Sequence, residues 1–342
     1  MSTGLAGIPT AATPTQRKDF VSGQEVRWCP GCGDYAVLAA FQSLMPELGI
    51  AKQNTVIVSG IGCSSRFPYY VDTYGMHSIH GRAPAIATGV AMARPDLAVW
   101  VMTGDGDALS IGGNHLIHAL RRNVNITIVL FNNRIYGLTK GQFSPTSERG
   151  KITKSSPSGS VDRPFDPVTL ALGAEASFVA RTIDSDRKHL TSVLRSAVEH
   201  RGASLVEIYQ NCPIFNDGAF DHLKQSDSAA MIPLEHGRPV VFAGGRFVVA
   251  HETDGHLAVR PRSEVDEASI VVHDAQARDA GLAFQLSQLT SARLRPATPI
   301  GIFRSVERPV FDDEARQRLS MPLDRQAALQ KLVAGHDTWT VL

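Results

Sequence analysis

Four cysteines are all that this 342-residue chain contains, and two of them, Cys29 and Cys32, stand three positions apart in "WCPGCGDY". The other two, Cys63 in "IGCSSR" and Cys212 in "NCPIF", are isolated. A Cys-x-x-Cys pair is a preformed bidentate thiolate unit. It suits a dithiol redox couple, half of a zinc site, or two ligands of an iron–sulfur cluster. Spacing alone leaves the three open. Structural disulfides are a poor account of so few cysteines in a chain that reads as cytosolic. For Cys212 taken alone, a buried thiol is the plain account.

The second chemically suggestive stretch is "VMTGDGDALSIGGNH", followed by "FNN". Gly104 and Gly106 flank Asp105, and 25 residues (107–131) separate Gly106 from Asn132. Glycine lets backbone N–H groups approach a phosphate closely, and a helix beginning near Ala108 would aim its positive end at the same place. Asp105 brings a hard carboxylate oxygen, Asn132 or Asn133 an amide oxygen, and a neighbouring carbonyl a third ligand. That set suits Mg²⁺, with phosphate oxygens and water completing the octahedron. Either GDG or NN alone is most simply a turn. Together, at the ends of consecutive predicted strands, they resemble the thiamin diphosphate-binding motif. A nicotinamide site fits poorly, because "GDGDAL" lacks the third glycine of GxGxxG.

Such residues need a scaffold that brings strand ends together. "TVIVSG" (55–60), "LAVWVMTG" (97–104), "ITIVLFNN" (126–133), "SFVARTI" (177–183) and "SLVEIYQ" (204–210) read as strands, their apolar runs suited to a parallel sheet covered on both faces. Between them, 35–45, 84–93, 112–123 and 189–200 carry helical spacing. The alternation predicts an α/β fold with a doubly wound, mainly parallel sheet, in which ligands bind beyond the carboxyl ends of the strands. The polar stretch 134–160 is too long to be an idle loop in a compact domain. Residues 1–23 read as an N-terminal arm, 24–217 as the site-bearing domain and 218–342 as a C-terminal extension of weaker periodicity.

Composition narrows the classes. Hydrophobic residues at 43% and charged residues at 20% are ordinary for a globular chain, and 342 residues suffice for a large core. A formal net charge of +1 gives no field that favours nucleic acid or an anionic membrane as partner. No segment reads as a secretory signal or a membrane span, so a cytoplasmic location is expected.

The blocks "WCPGCGD", "SGIGCSSR", "HSIHGRAPAIATGVAMA", "TGDGDALSIGGNHLIHALRRN", "FNNRIYGLTKGQFSPTS" and "NCPIFNDG", in this order, resemble the β subunit of 2-oxoacid:ferredoxin oxidoreductases, and among these the 2-oxoglutarate enzymes. The resemblance implies a fold of the thiamin diphosphate-binding type carrying thiamin diphosphate, Mg²⁺ and one [4Fe–4S] cluster. It puts the cluster on Cys29, Cys32, Cys63 and Cys212, with a Cys₄ zinc site as the physical alternative. Mg²⁺ falls to Asp105, Asn133 and the carbonyl of Ile135. Ile61, Gly62, Cys63, Ser64, His80, Gly104, Gly106, Leu138 and Thr139 line the cofactor, although a lone histidine is as readily a core or surface residue. Arg66 and Lys140 become candidates for a substrate carboxylate, against the plain reading of solvated surface cations. "LTKG" (138–141) departs from the Asn-Thr-Gly of pyruvate-type relatives and favours a longer, dicarboxylic 2-oxoacid.

The implied reaction converts 2-oxoglutarate, CoA and two oxidised ferredoxins to succinyl-CoA, CO₂ and two reduced ferredoxins, and a strongly reducing ferredoxin would drive it backwards. The glutamate that activates thiamin diphosphate has no counterpart here. The resemblance assigns it to an α subunit, in an αβ or (αβ)₂ assembly, and the chain alone is expected to be inactive. The competing readings are a pyruvate-type or broad-specificity relative, a non-redox thiamin enzyme with a zinc site, and a non-catalytic subunit that keeps the fold.

Overall fold

The computed structural model describes residues 3–224, 228–291, 296–318 and 324–339. Strands β1 (Thr55–Ser59), β2 (Tyr74–His77), β3 (Ala98–Gly104), β4 (Thr127–Asn132), β5 (Phe178–Ile183), β6 (Ser204–Tyr209) and β7 (Met231–Leu234) alternate with helices. These are α1 (Asp34–Leu48), α2 (Ala83–Ala93), α3 (Asp105–Leu109), α4 (Gly113–Arg122), α5 (Pro167–Gly173) and α6 (Arg187–Glu199). Short antiparallel strands β8 (Val241–Phe242), β9 (Phe247–His251) and β10 (Leu257–Pro261) form a small separate sheet. Helix α7 (Gly281–Gln288), strand β11 (Thr298–Ser305), α8 (Phe311–Arg318) and α9 (Arg325–Ala334) complete the described chain.

The main sheet has eight strands in the order β2-β1-β3-β4-β6-β5-β11-β7, all pairs parallel except β11 with β5. The doubly wound, mainly parallel α/β architecture is the expected one. Each central strand divides its side chains between two cores, as the period of two requires. Val99 and Val101 of β3 join α2, α4, α5 and α7 on one face. Trp100 and Met102 join α1 and α6 on the other. Phe41 meets Trp100 edge-on at 4.9 Å between ring centroids, a contact that adds about 1 kcal/mol beyond the area it buries.

Helix α1 ends at Gly49, whose φ of 66° suits a left-handed C-terminal cap, with its N–H bonded to Pro46 O. The connection after β3 differs from expectation. No helix starts at Ala108. The five-residue α3 begins at Asp105, the chain breaks at Ser110, and α4 restarts at Gly113. The break has a packing reason: a Cβ on Gly112 would lie 2.4 Å from Asp107 O, so this turn admits only glycine.

The 218–342 segment is not an appendage in space. Its strands β7 and β11 extend the main sheet beyond β5. Among the described residues, no helix is long and apolar enough to cross a membrane.

Candidate active site

The carboxyl ends of β1, β3 and β4 open onto one cavity of about 590 Å³. Segments 61–64 after β1, 104–107 after β3 and 133–139 after β4 form its walls, with His80 at the rim. Cys63 lies on one wall and Asp105 on another.

Asp105 is buried, and its Oδ2 accepts hydrogen bonds from Ser144 Oγ and Thr146 Oγ1, each at 2.5 Å. Burial raises its pKa to about 6, although those hydroxyls pull it down. A buried carboxylate so placed gains from a nearby cation. Asn132, the last residue of β4, and Asn133, the next, point to different places. Asn132 donates Nδ2 to Glu207 Oε1 at 2.7 Å, away from the cavity. Asn133 lines the cavity, and its Oδ1 accepts from Ile135 N at 3.1 Å. Asp105, Asn133 and Ile135 therefore share one wall system, a hard-oxygen set that suits Mg²⁺. Gly106 has no alternative: a Cβ there would meet the Tyr136 ring at 2.2 Å, and Tyr136 OH donates to Gly106 O.

The four cysteines form no disulfide. Trp28 braces the first pair, packing against Tyr70 at 4.8 Å and Tyr35 at 5.6 Å, while its Nε1 donates to Cys63 O at 2.7 Å. Gly33 N bonds to Asn211 O, which ties the "CPGCG" turn to the Cys212 loop. A Cβ on Gly137 would lie 3.6 Å from Cys63 Sγ and 3.7 Å from Cys212 Sγ, so the cavity wall abuts both sulfurs. Burial pushes the Cys63 thiol up to about 12, helped by the charges of Asp34, Cys212 and Cys29. Cys32 is pushed up further, first by burial and then by Asp34. Asp34 itself is fully buried and raised to about 7, chiefly by burial, with the Cys32 thiol as its protic neighbour. Among the described residues, no three Cys, His, Asp or Glu side chains close on a point that would hold one bare ion.

A thiamine pyrophosphate enzyme C-terminal TPP-binding domain is matched by residues 60–208. The 2-oxoglutarate oxidoreductase subunit KorB of Mycobacterium tuberculosis is 60% identical over 98% of this chain and 91% of its own length. The chain belongs to the 2-oxoacid:ferredoxin oxidoreductases, as a β subunit. The 2-oxoglutarate synthase subunit KorB of Archaeoglobus fulgidus is 48% identical over 54% of this chain and 69% of its own. A solved structure, the 2-oxoglutarate:ferredoxin oxidoreductase of Magnetococcus marinus with 2-oxoglutarate, coenzyme A and succinyl-CoA bound, superposes with a TM-score of 0.74. It has 33% identity and covers 96% of this chain and all of the other.

In this β subunit the residues expected around a diphosphate cofactor, Ile61, Gly62, Cys63, Ser64, His80, Gly104, Asp105, Gly106, Leu138 and Thr139, all line the one cavity. The two substrate candidates part company. Arg66 lines a recess of about 470 Å³ that shares Ile61, Gly62 and Leu138 with the cofactor cavity, and its guanidinium donates to Arg27 O. Lys140, at a φ of 82°, lines a separate depression with Lys151 and Lys154. A larger cavity of about 750 Å³ lies on the Asn132 side, over the buried Arg181–Glu207 ion pair at 2.6 Å. It carries neither cysteines nor the glycine turn.

Sequence reasoning missed Asp34, Asp107, Ser144 and Thr146. Asp34 and Asp107 stand inside quoted motifs, where an acidic residue beside a known signal was the available clue. Nothing distinguishes Ser144 and Thr146 from the other hydroxyls of a polar loop.

Proposed function

We propose that this chain is the catalytic β subunit of a CoA-dependent 2-oxoglutarate:ferredoxin oxidoreductase, with residues 24–217 as its cofactor domain and 218–342 as an extension of the same sheet. One observation carries the reading: Cys63 lines the same cavity as Asp105, and Cys212 Sγ abuts the Gly137 wall beside it, so the proposed diphosphate–metal site and the cysteines adjoin.

Asp105, Asn133 and the Ile135 carbonyl would hold Mg²⁺, and the turn Gly104–Gly106 with segment 61–64 would cradle the diphosphate. When bound, thiamin diphosphate supplies the electron sink for decarboxylating a 2-oxoacid. Cys29, Cys32, Cys63 and Cys212 would ligate a [4Fe–4S] cluster that relays electrons to ferredoxin. A zinc ion on the same four thiols would have no electrons to relay to ferredoxin, whereas a cluster beside the cofactor would. Arg66, whose recess shares Ile61, Gly62 and Leu138 with the cofactor cavity, would meet the distal carboxylate of a dicarboxylic substrate, a role that would favour 2-oxoglutarate over pyruvate. Lys140 lines a separate depression with Lys151 and Lys154, which supports Arg66 rather than Lys140 as the carboxylate partner.

An α subunit is to supply the activating glutamate, and CoA accepts the acyl group. The test is viologen reduction by co-expressed, anaerobically purified α and β. We expect a brown protein with about four irons per β chain, reduction dependent on 2-oxoglutarate and CoA, weaker turnover of pyruvate, and none from β alone. A colourless zinc protein, or turnover by β without α, contradicts the reading.

A further inference from the structure

Asp107 follows the GDG turn, is buried, and belongs to none of the roles above. Its carboxylate gathers four donors from three segments. Oδ1 lies 3.0 Å from Ile61 N, 2.7 Å from Gly81 N and 2.6 Å from His80 Nδ1, and Oδ2 lies 2.6 Å from Thr103 Oγ1. The packing around it is close. A Cβ on Gly60 would lie 2.0 Å from Asp107 Oδ2 and one on Gly81 2.5 Å from Gly112 N, so both glycines are required.

Hydrogen-bond inventory decides where the proton lies. Two backbone N–H groups already point at Oδ1, which makes that oxygen an acceptor, and so the imidazole must bring its own proton on Nδ1. Nε2 is then the ring atom left to meet a ligand, and His80 lines the cofactor cavity. A histidine whose one nitrogen is fixed by a carboxylate has its tautomer and orientation set, the arrangement by which a partner behind a working side chain tunes it.

We propose that Asp107 is a positioning residue: it holds His80 through Nδ1–H so that Nε2 is turned to the cofactor's diphosphate, to which the ring donates Nε2–H in its imidazolium form, and it pins the 61 and 81 segments to the end of β3 in the same act. This rests on the reading of the cavity as a thiamin diphosphate site.

The test is a double-mutant cycle on the αβ holoenzyme, read as the dissociation constant of Mg²⁺–thiamin diphosphate by quenching of intrinsic fluorescence. Asp107→Asn keeps an acceptor for the two backbone N–H groups but removes the charge behind His80. Both Asp107→Asn and His80→Gln are expected to weaken binding about tenfold to a hundredfold, the range for a partner that orients a ligand-binding side chain. The double variant should bind no more weakly than His80→Gln alone, because Asp107 acts through His80. Thr103→Val, which removes only the Oδ2 donor, supplies a second cycle should Asp107→Asn fail to fold. It should weaken binding when His80 is present and have no effect in the His80→Gln background. Additive losses in either cycle, or unchanged binding by His80→Gln, overturn the proposal while leaving the cofactor reading intact. Failure of the wild-type enzyme to bind the cofactor overturns both.

Discussion

Replacing Thr146 with Val removes one hydroxyl and preserves shape, and the structure says what that hydroxyl does. Thr146 Oγ1 stands 2.5 Å from Asp105 Oδ2 and 2.8 Å from Asn132 Oδ1, two acceptors for one proton. The ionised carboxylate is the stronger acceptor, so the proton goes to Asp105. A hydrogen bond to a charged group contributes about 1.5–3 kcal/mol, which corresponds to roughly tenfold to 150-fold in an equilibrium constant at 1.36 kcal/mol per decade. Ser144 still donates to the same oxygen at 2.5 Å, so the lower end applies. We expect Mg²⁺ affinity, measured by metal titration of thiamin diphosphate binding in the αβ enzyme, to fall about tenfold. Thr146→Ser should recover most of it, and iron content should not change. An Mg²⁺ dissociation constant within about twofold of wild type would refute the claim that this hydroxyl orients Asp105.

Three further outcomes follow from other parts of the structure. Cys29→Ser should lose the iron and electron transfer to ferredoxin, read by iron assay and viologen reduction, and keep Mg²⁺–thiamin diphosphate binding. Glu207→Ala strips the fully buried Arg181 of its 2.6 Å partner and leaves Asp166 at 2.9 Å. Uncompensated buried charge costs about 3–5 kcal/mol, measured as a lower denaturation midpoint, and Glu207→Gln should cost less because it keeps the bond from Asn132. Burial lowers the pKa of His200 from 6.5 to about 4. Its contribution is therefore complete above pH 6.5 and lost as pH falls through 4, about 3 kcal/mol in all. His200→Gln should flatten the acid limb of the stability curve over that window, and an unchanged limb would show that His200 does not set it.

The legible parts of the sequence were those with two apolar faces or a required backbone shape. Strands β1 and β3 to β6 are buried almost end to end, so "TVIVS" and "AVWVMTG" carry their own signal. Strand β2 could not be read this way. All four residues of "YGMH" are exposed at the sheet edge, where no burial pattern forms. Strand β11 was hidden for another reason: it pairs antiparallel with β5 and parallel with β7, so no βαβ rhythm announces it. The split of α3 from α4 turns on the backbone at Ser110 and close contacts at Gly112, a packing fact invisible in "LSIGGN". At the site, the spacing from GDG to NN carried Asp105 but not the choice between Asn132 and Asn133. The structure sends Asn132 to Glu207 and Asn133 to the cavity wall, which supports Asn133 as the ligand. Ser144 and Thr146 contact Asp105 from 39 and 41 residues away, and no local pattern encodes such a contact.

The acids of the site share one electrostatic condition that links its two halves. Burial raises Asp105 to about 6, Asp34 to about 7 and Cys63 to about 12. Each of these groups resolves its desolvation in one of two ways, by keeping a proton or by meeting a positive charge. For Asp105 near neutral pH the proton is already lost, so a divalent cation offsets the cost directly. For the thiols the proton is held far more tightly, and a metal must displace it. On the proposed reading, loading iron would release protons, whereas loading Mg²⁺ at neutral pH would release almost none. Occupancy of the cysteine site should accordingly weaken as pH falls more steeply than Mg²⁺ occupancy does between pH 7 and 8. Asp34, which lines the cavity and adjoins Cys32, lies between these two regimes, and its charge raises both Cys32 and Cys63.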